Sequence, residues 1–277
     1  MRKPADFVKA AIFMICFGIM MCGCGGGGAG GGGHAPVSRS YDGAPFSIIV
    51  LPDTQMYAHL YPEIFTRQTK WIKDNVQAHE IAFVLHEGDI VNLPGPGTRQ
   101  WENAVRSMSV LDGVVPYALV PGNHDYDDQG KTRTTTMFNR FFPIDKYRHN
   151  ASFGGAYEQD KMDNTFHLFN AGNTNWLVLC LEFGPRDAVL EWASQVIKKY
   201  PNRRVILLTH SYLEFDSLLS GADPNHSSTP SKMGMASQPG GANDGKQVWD
   251  KFVSQHRNIQ FVFSGHTPGD GTGRRIG

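Results

Sequence analysis

The sequence predicts an α/β protein built on a mixed sheet or a two-sheet sandwich. Short apolar, β-branched runs alternate along the chain with segments whose apolar residues recur at helical spacing. Two neighbouring runs flank Gly172-Asn173, a pair suited to a tight hairpin turn, and this adds antiparallel character. Polar residues able to do chemistry follow the apolar runs and do not interrupt them.

At the N-terminus, Arg2, Lys3 and Lys9 lead into an apolar run over residues 10–21, followed by small residues. A charged start and a short apolar stretch make an export signal, too short to span a bilayer as a helix. The run ends in Met21-Cys22-Gly23-Cys24, and a small residue before a Cys resembles a bacterial lipobox. Cys24 is the better candidate for lipidation, Cys22 the lesser, and an ordinary cleaved signal peptide is the competing interpretation. Residues 25–33 are Gly with one Ala, a flexible tether. The expected organisation is an export signal over 1–24, a tether over 25–45 and a folded body over 46–277, with residues before about 40 outside the fold. The expected location is the bacterial cell envelope, with a lipid on Cys24 holding the body to a membrane and facing the periplasm or exterior.

The body opens with Phe46-Ser-Ile-Ile-Val-Leu51, a buried strand. Pro62 then starts a helix carrying Ile64, Phe65, Trp71, Ile72 and Val76. Residues 81–85 form a second strand, 99–111 a helix and 117–120 a third strand. The hairpin pairs 165–169 with 176–183. Val189, Leu190, Ala193, Val196 and Ile197 mark another helix, and 205–208 a strand. Residues 216–245 are rich in Gly, Ser and Pro and read as a long surface loop. Val248, Trp249, Phe252 and Val253 give the last helix, and 259–263 the last strand.

Composition narrows the function. Lys plus Arg and Asp plus Glu are 26 each, so no cationic surplus suggests nucleic-acid binding. Three of the four Cys lie in the N-terminal segment, and Cys180 sits inside an apolar run where a buried thiol is expected. That excludes a disulfide framework and a thiolate metal site.

The strand ends carry the signal. Pro52-Asp53-Thr54-Gln55 follows the first strand, His86-Glu87-Gly88-Asp89 the second, and Pro121-Gly122-Asn123-His124-Asp125 the third. Thr209-His210 and Ser264-Gly265-His266 follow two later ones. Ligands of open α/β sheets bind at the carboxyl ends of strands. One Asp there is usually a cap and one His a satisfied core residue. Five such endings together offer oxygen and nitrogen ligands suited to Mn²⁺, Fe²⁺ or Zn²⁺.

In order and spacing, Gly88-Asp89, Gly122-Asn123-His124-Asp125, Thr209-His210 and Gly265-His266 resemble the motifs of the calcineurin-like metallophosphoesterases, over roughly residues 46–273. The resemblance implies a four-layer α/β/β/α sandwich and hydrolysis of phosphomonoesters or phosphodiesters by a water activated between two divalent ions, with Mn²⁺ favoured and Fe²⁺, Zn²⁺ or Mg²⁺ as alternatives. It implies that Asp89 bridges both ions, that Asp53 and Gln55 hold the first, and that Asn123, His210 and His266 hold the second. His124 is implied to stabilise the transferring phosphoryl group or protonate the leaving oxygen, and Asp125 to orient His124.

Two departures stand out. Gln55 occupies a position where the family commonly has His, a variant associated with a subgroup whose first motif reads Asp-Thr-Gln. The closing motif, usually Gly-His-x-His, reads Gly265-His266-Thr267-Pro268 here. Asp270 is near enough in sequence to replace the missing His. The chain also ends eleven residues after His266, where family members often continue with further strands, so it reads as a truncated or unusually short member with its last sheet edge left open. Asn92 is a candidate for substrate contact or loop capping.

Other motifs fail. Gly240-Gly-Ala-Asn-Asp-Gly-Lys246 has phosphate-loop spacing, but Gln247 replaces the required hydroxyl and no strand precedes it. No Gly-x-Ser-x-Gly elbow is present. The competing function is a surface-tethered metal-binding module with little turnover, which the missing His favours. Activity toward an aryl phosphate separates the two.

Overall fold

The computed structural model describes residues 13–17 and 45–267, except 94 and 96. Two sheets lie face to face. The first contains β1 (Phe13–Phe17), β2 (Phe46–Leu51), β3 (Ile81–His86) and β4 (Tyr117–Leu119), in that order across the sheet. The second contains β5 (Phe153–Ala156), β6 (Thr165–Ala171), β7 (Thr174–Leu181), β8 (Arg204–Thr209) and β9 (Ile259–Phe263), also in sequence order. Strands β2, β3 and β4 run parallel, as do β7, β8 and β9, while β5, β6 and β7 are antiparallel.

Alternation along the strands creates three apolar layers. Ile49, Leu51 and Val84 face outward onto α1 (Gln55–Leu60), α2 (Pro62–Asn75), α3 (Arg99–Met108), α4 (Thr136–Phe141) and α5 (Ile144–Tyr147), through Ala58, Phe65, Trp101, Phe138 and Ile144. Ile48, Val50, Phe83 and Leu85 face inward and meet Val178, Cys180, Ile206 and Leu208 of the second sheet. Leu177, Leu179 and Leu181 point to the far side, where they pack on α6 (Asp187–Lys199) and α7 (Gly245–Lys251). Each fully buried Leu, Ile or Val contributes about 1.5–3 kcal/mol. The layer order is helix, sheet, sheet, helix, a mixed α/β sandwich as the sequence implied.

Local chemistry explains the elements. Pro62 occupies the first turn of α2, where its missing N–H has no cost. Phe65, Thr69, Ile72 and Val76 form the buried stripe, whereas Trp71, expected in that stripe, is 37% exposed and lies against His79. Gly172 and Asn173 both have positive φ, at 59° and 55°, the backbone a two-residue hairpin turn demands. Asp244 and Gln247 cap α7 reciprocally, so the phosphate-loop-like string is a helix start. Cys180 is fully buried, and burial pushes its thiol up to about 12.

The structure departs from the expectation that everything before residue 40 stays outside the fold. Phe13–Phe17 pairs antiparallel with β2, Phe13 opposite Val50 and Phe17 opposite Phe46. The edge of β2 presents unpaired N–H and C=O groups, and an apolar extended segment satisfies them. Cys22, Cys24 and the Gly tract lie outside the described residues, and no helix among the described residues is long and apolar enough to cross a membrane.

Candidate metal centre

All five motif-bearing strand ends open on the same edge of the sandwich. Asp53 and Gln55 follow β2, Asp89 follows β3, Asn123 to Asp125 form a 3-10 turn after β4, His210 follows β8 and His266 follows β9. Asp89, His210 and His266 bring ligand atoms within 4.8 Å of one another. The turns approach so closely that a Cβ on Gly122 would stand 2.3 Å from the Asp89 carboxylate, so only glycine fits there. Asp89 and His266 both hold positive φ, 48° and 77°. Left-handed backbone costs a non-glycine residue about 1–3 kcal/mol, strain that surrounding contacts must sustain.

The donor set is rich in oxygen acceptors. His210 donates from Nδ1 to the Glu87 carbonyl at 2.7 Å, which turns Nε2 toward Asp89 Oδ1 at 3.3 Å and Asn123 Oδ1 at 3.2 Å. Burial pulls its pKa down, but the carboxylates of Asp89 and Asp53 outweigh burial and raise it to about 10. Burial works against ionised Asp89, yet His210 beside it holds the carboxyl below its ordinary value. Asp53 accepts the His266 N–H on Oδ2 at 3.2 Å, while its Oδ1 is buried without a hydrogen-bond partner. Burial, opposed by His210 and reinforced by Asp89, raises the Asp53 carboxyl to about 6. Gln55 Oε1 is also buried and unpartnered. Burial first, and Asp53 second, push neighbouring Glu87 up to about 8.

Unpartnered buried oxygens are expensive, of order 1–3 kcal/mol each. Converging carboxylates add repulsion. A divalent cation resolves both, and the residues present fit one chemically: oxygens from Asp53, Gln55, Asp89 and Asn123, with imidazoles from His210 and His266. His266 is set for this. Its Nε2 donates to the Ser228 carbonyl at 2.5 Å, and burial, with His210 adding, lowers its pKa to about 4, so Nδ1 keeps its lone pair.

His124 joins the site from the side. It is half-buried, its backbone N–H donates to Asp89 Oδ1 at 2.9 Å, and its Nδ1 lies 2.7 Å from the Asn92 carbonyl. Asp125 does not orient this ring. Its carboxylate is fully buried and accepts the N–H groups of Ile90, Val91 and Gly122 at 2.9–3.1 Å. It clamps the turn after β3 to the turn after β4, and so sets Asp89 against Asn123. Burial, then the Asp89 charge, raises the Asp125 carboxyl to about 8, against the pull of those three amides. The 3-10 turn sends its side chain back to its own Gly122 N–H, while the His124 ring turns to the Asn92 carbonyl.

Three supporting residues escaped the sequence. His86 links Thr54 Oγ1 at Nε2 to the Gly88 N–H at Nδ1, 3.0 and 3.2 Å away, and so ties the turns after β2 and β3. Burial holds this ring neutral, its pKa lowered to about 3. Gln100 Oε1 accepts the N–H groups of Asn92 and Leu93, which fixes the carbonyl that faces His124. Ser228 reaches His266 from the loop of residues 216–245, so that loop packs on the site. A lone strand-end His and a mid-loop Ser carry no signal in isolation. Asp270 lies outside the described residues.

The calcineurin-like phosphoesterase family model matches residues 46–270. A curated relative from Bacillus subtilis (strain 168), the uncharacterized protein YvnB, is 34% identical over 222 residues. That alignment covers 80% of this chain but 15% of the relative, so the chain spans a small part of that protein's length. Among solved structures, a purple acid phosphatase from yellow lupin seeds matches with TM-score 0.41 and 15% identity, over 64% of this chain and 34% of the other. A dimetal phosphatase from Danio rerio matches with TM-score 0.45 and 14% identity, over 75% and 72%. The family match covers most of the chain and includes every strand end that builds the acceptor-rich cluster, so this chain belongs to the calcineurin-like phosphoesterase family.

Proposed function

We propose that this chain hydrolyses phosphomonoesters or phosphodiesters with two divalent ions, Mn²⁺ favoured, held by Asp53, Gln55, Asp89, Asn123, His210 and His266. The observation that carries this is Asp53 Oδ1, buried and unpartnered beside the Asp89, His210 and His266 cluster, with a second buried, unpartnered oxygen two residues on at Gln55 Oε1. Divalent ions in that set would neutralise phosphoryl charge and make water nucleophilic near neutral pH. Asp89, whose Oδ1 accepts the His124 N–H and lies 3.3 Å from His210 Nε2, would serve both halves of the donor set. His124 has Nδ1 committed to the Asn92 carbonyl, so Nε2 is the atom left to meet the phosphoryl group or hand a proton to the leaving oxygen. Asp125 holds the two turns in register and touches no substrate.

The N-terminal segment would export the chain and leave a lipid on Cys24, with the Gly tract as tether. Removal of the leader would then take β1 away and leave β2 as the sheet edge.

The test is hydrolysis of chromogenic mono-aryl and bis-aryl phosphates by the purified chain, with chelator and then with Mn²⁺. Loss on chelation and recovery with Mn²⁺ support the proposal. Activity untouched by chelation contradicts it.

A further inference from the structure

The closing motif of this chain lacks the second His that its family usually places after Gly-His, and Thr267 precedes Pro268 there. Asp53 and Gln55 are therefore short of a ligand if nothing else approaches. Glu87 does. It leaves the end of β3 on the face opposite His86, because successive side chains alternate. His86 meets Thr54, and Glu87 falls on the side of Asp53. The position where a Gly265 Cβ would stand is 2.2 Å from Asp53 Oδ1 and 3.5 Å from Glu87 Cβ, so the two acids flank the same glycine.

Glu87 is 8% exposed, yet its carboxylate has no hydrogen-bond or ion-pair partner among the described residues. Its backbone is fully engaged: the N–H donates to Leu51 and the carbonyl accepts from His210. Two acids side by side, one of them with a buried Oδ1 that no donor reaches, repel each other unless a cation lies between them.

We propose that the Glu87 carboxylate is a direct ligand of the ion held by Asp53 and Gln55, and replaces the imidazole missing after His266. This rests on the proposed metal-dependent function and adds a residue to that site. The first position then becomes wholly oxygen-lined, from Asp53, Gln55, Asp89 and Glu87, which selects a hard cation such as Mn²⁺ or Mg²⁺ over Zn²⁺.

The test is calorimetric titration of Mn²⁺ into the full chain after metal removal, for the wild type and Glu87→Gln, with thermal melts in chelator and in Mn²⁺. The expected result is two binding events in the wild type, one of them weakened about tenfold or more in Glu87→Gln. The second event should be unchanged. In chelator, Glu87→Gln should melt at or above the wild-type temperature, because it removes one of two adjacent acids, and it should gain less from Mn²⁺. Equal affinity at both sites overturns the proposal while leaving the metal-dependent function intact. A Glu87→Gln chain that fails to fold in chelator also overturns it, because the carboxylate would then serve a partner other than the ion. A wild-type chain that binds no Mn²⁺ overturns both.

Discussion

The Nδ1 atom of His124 lies 2.7 Å from the carbonyl oxygen of Asn92, a residue 32 positions earlier in the chain. This contact fixes the ring by a backbone acceptor and leaves Nε2 as the working atom. His124 would then act on the phosphoryl group and stand apart from the residues proposed to hold metal. His124→Ala should lower kcat by about 10²–10⁴-fold, with metal content near that of the wild type. Equal metal loss in this variant would show that the ring is a ligand.

Asp125 is expected to behave differently. Asp125→Ala leaves three buried N–H groups without an acceptor, at about 1–3 kcal/mol each. It should lower the melting temperature and reduce metal retention together, since the turns bearing Asp89 and Asn123 lose their clamp. A variant with normal stability and metal but reduced kcat would restore the His-orienting role.

The donor set also predicts metal preference. The position served by Asp53 and Gln55 has no imidazole, so it should bind Zn²⁺ weakly and fill with Mn²⁺. The purified chain should carry fewer than two ions, gain activity on Mn²⁺ addition, and retain metal better as Gln55→His. Elemental analysis that finds two tightly held zinc ions, with no response to Mn²⁺, contradicts this.

Stability should fall on the acid side. His167 and His86 are buried, and burial lowers both from 6.5 to about 3. As pH falls, the unfolded chain takes up protons first. The contribution is complete above about pH 6.5 and is lost toward pH 3, at about 1.4 kcal/mol per pH unit for each ring. His167→Phe should flatten this slope, since the ring already packs edge-on against Phe83 and Phe153. Denaturant melts between pH 4 and 7 measure it, and an unchanged slope would show that His167 is not the titrating group.

The anchor is tested by membrane fractionation. Cys24→Ser should release the chain from membranes, because the neutral body offers no electrostatic alternative. A variant that stays in the membrane fraction contradicts the lipid anchor.

The sequence made the strand ends legible because apolar runs and the polar residues after them are local patterns. Phe46–Leu51, Ile81–His86 and Arg204–Thr209 appear within a residue or two of the expected bounds. Non-local contacts were not legible. Asp125 was assigned to His124 by adjacency in its motif, but its partners Ile90 and Val91 lie about 35 residues earlier. Trp71 was read into the helical stripe of α2, yet the ring is 37% exposed and lies against His79. α4 and α5, of six and four residues, are too short to show a period. β1 depends on an edge that exists only once β2 has paired with β3.

The central claim is that two ions sit where the strand ends converge. Crystals of the chain grown with Mn²⁺, with diffraction collected near the manganese absorption edge, test it most directly. The account predicts two anomalous peaks that share Asp89, one beside Asp53 and Gln55 and the other beside Asn123, His210 and His266. Peaks elsewhere, or none at these side chains, would contradict it.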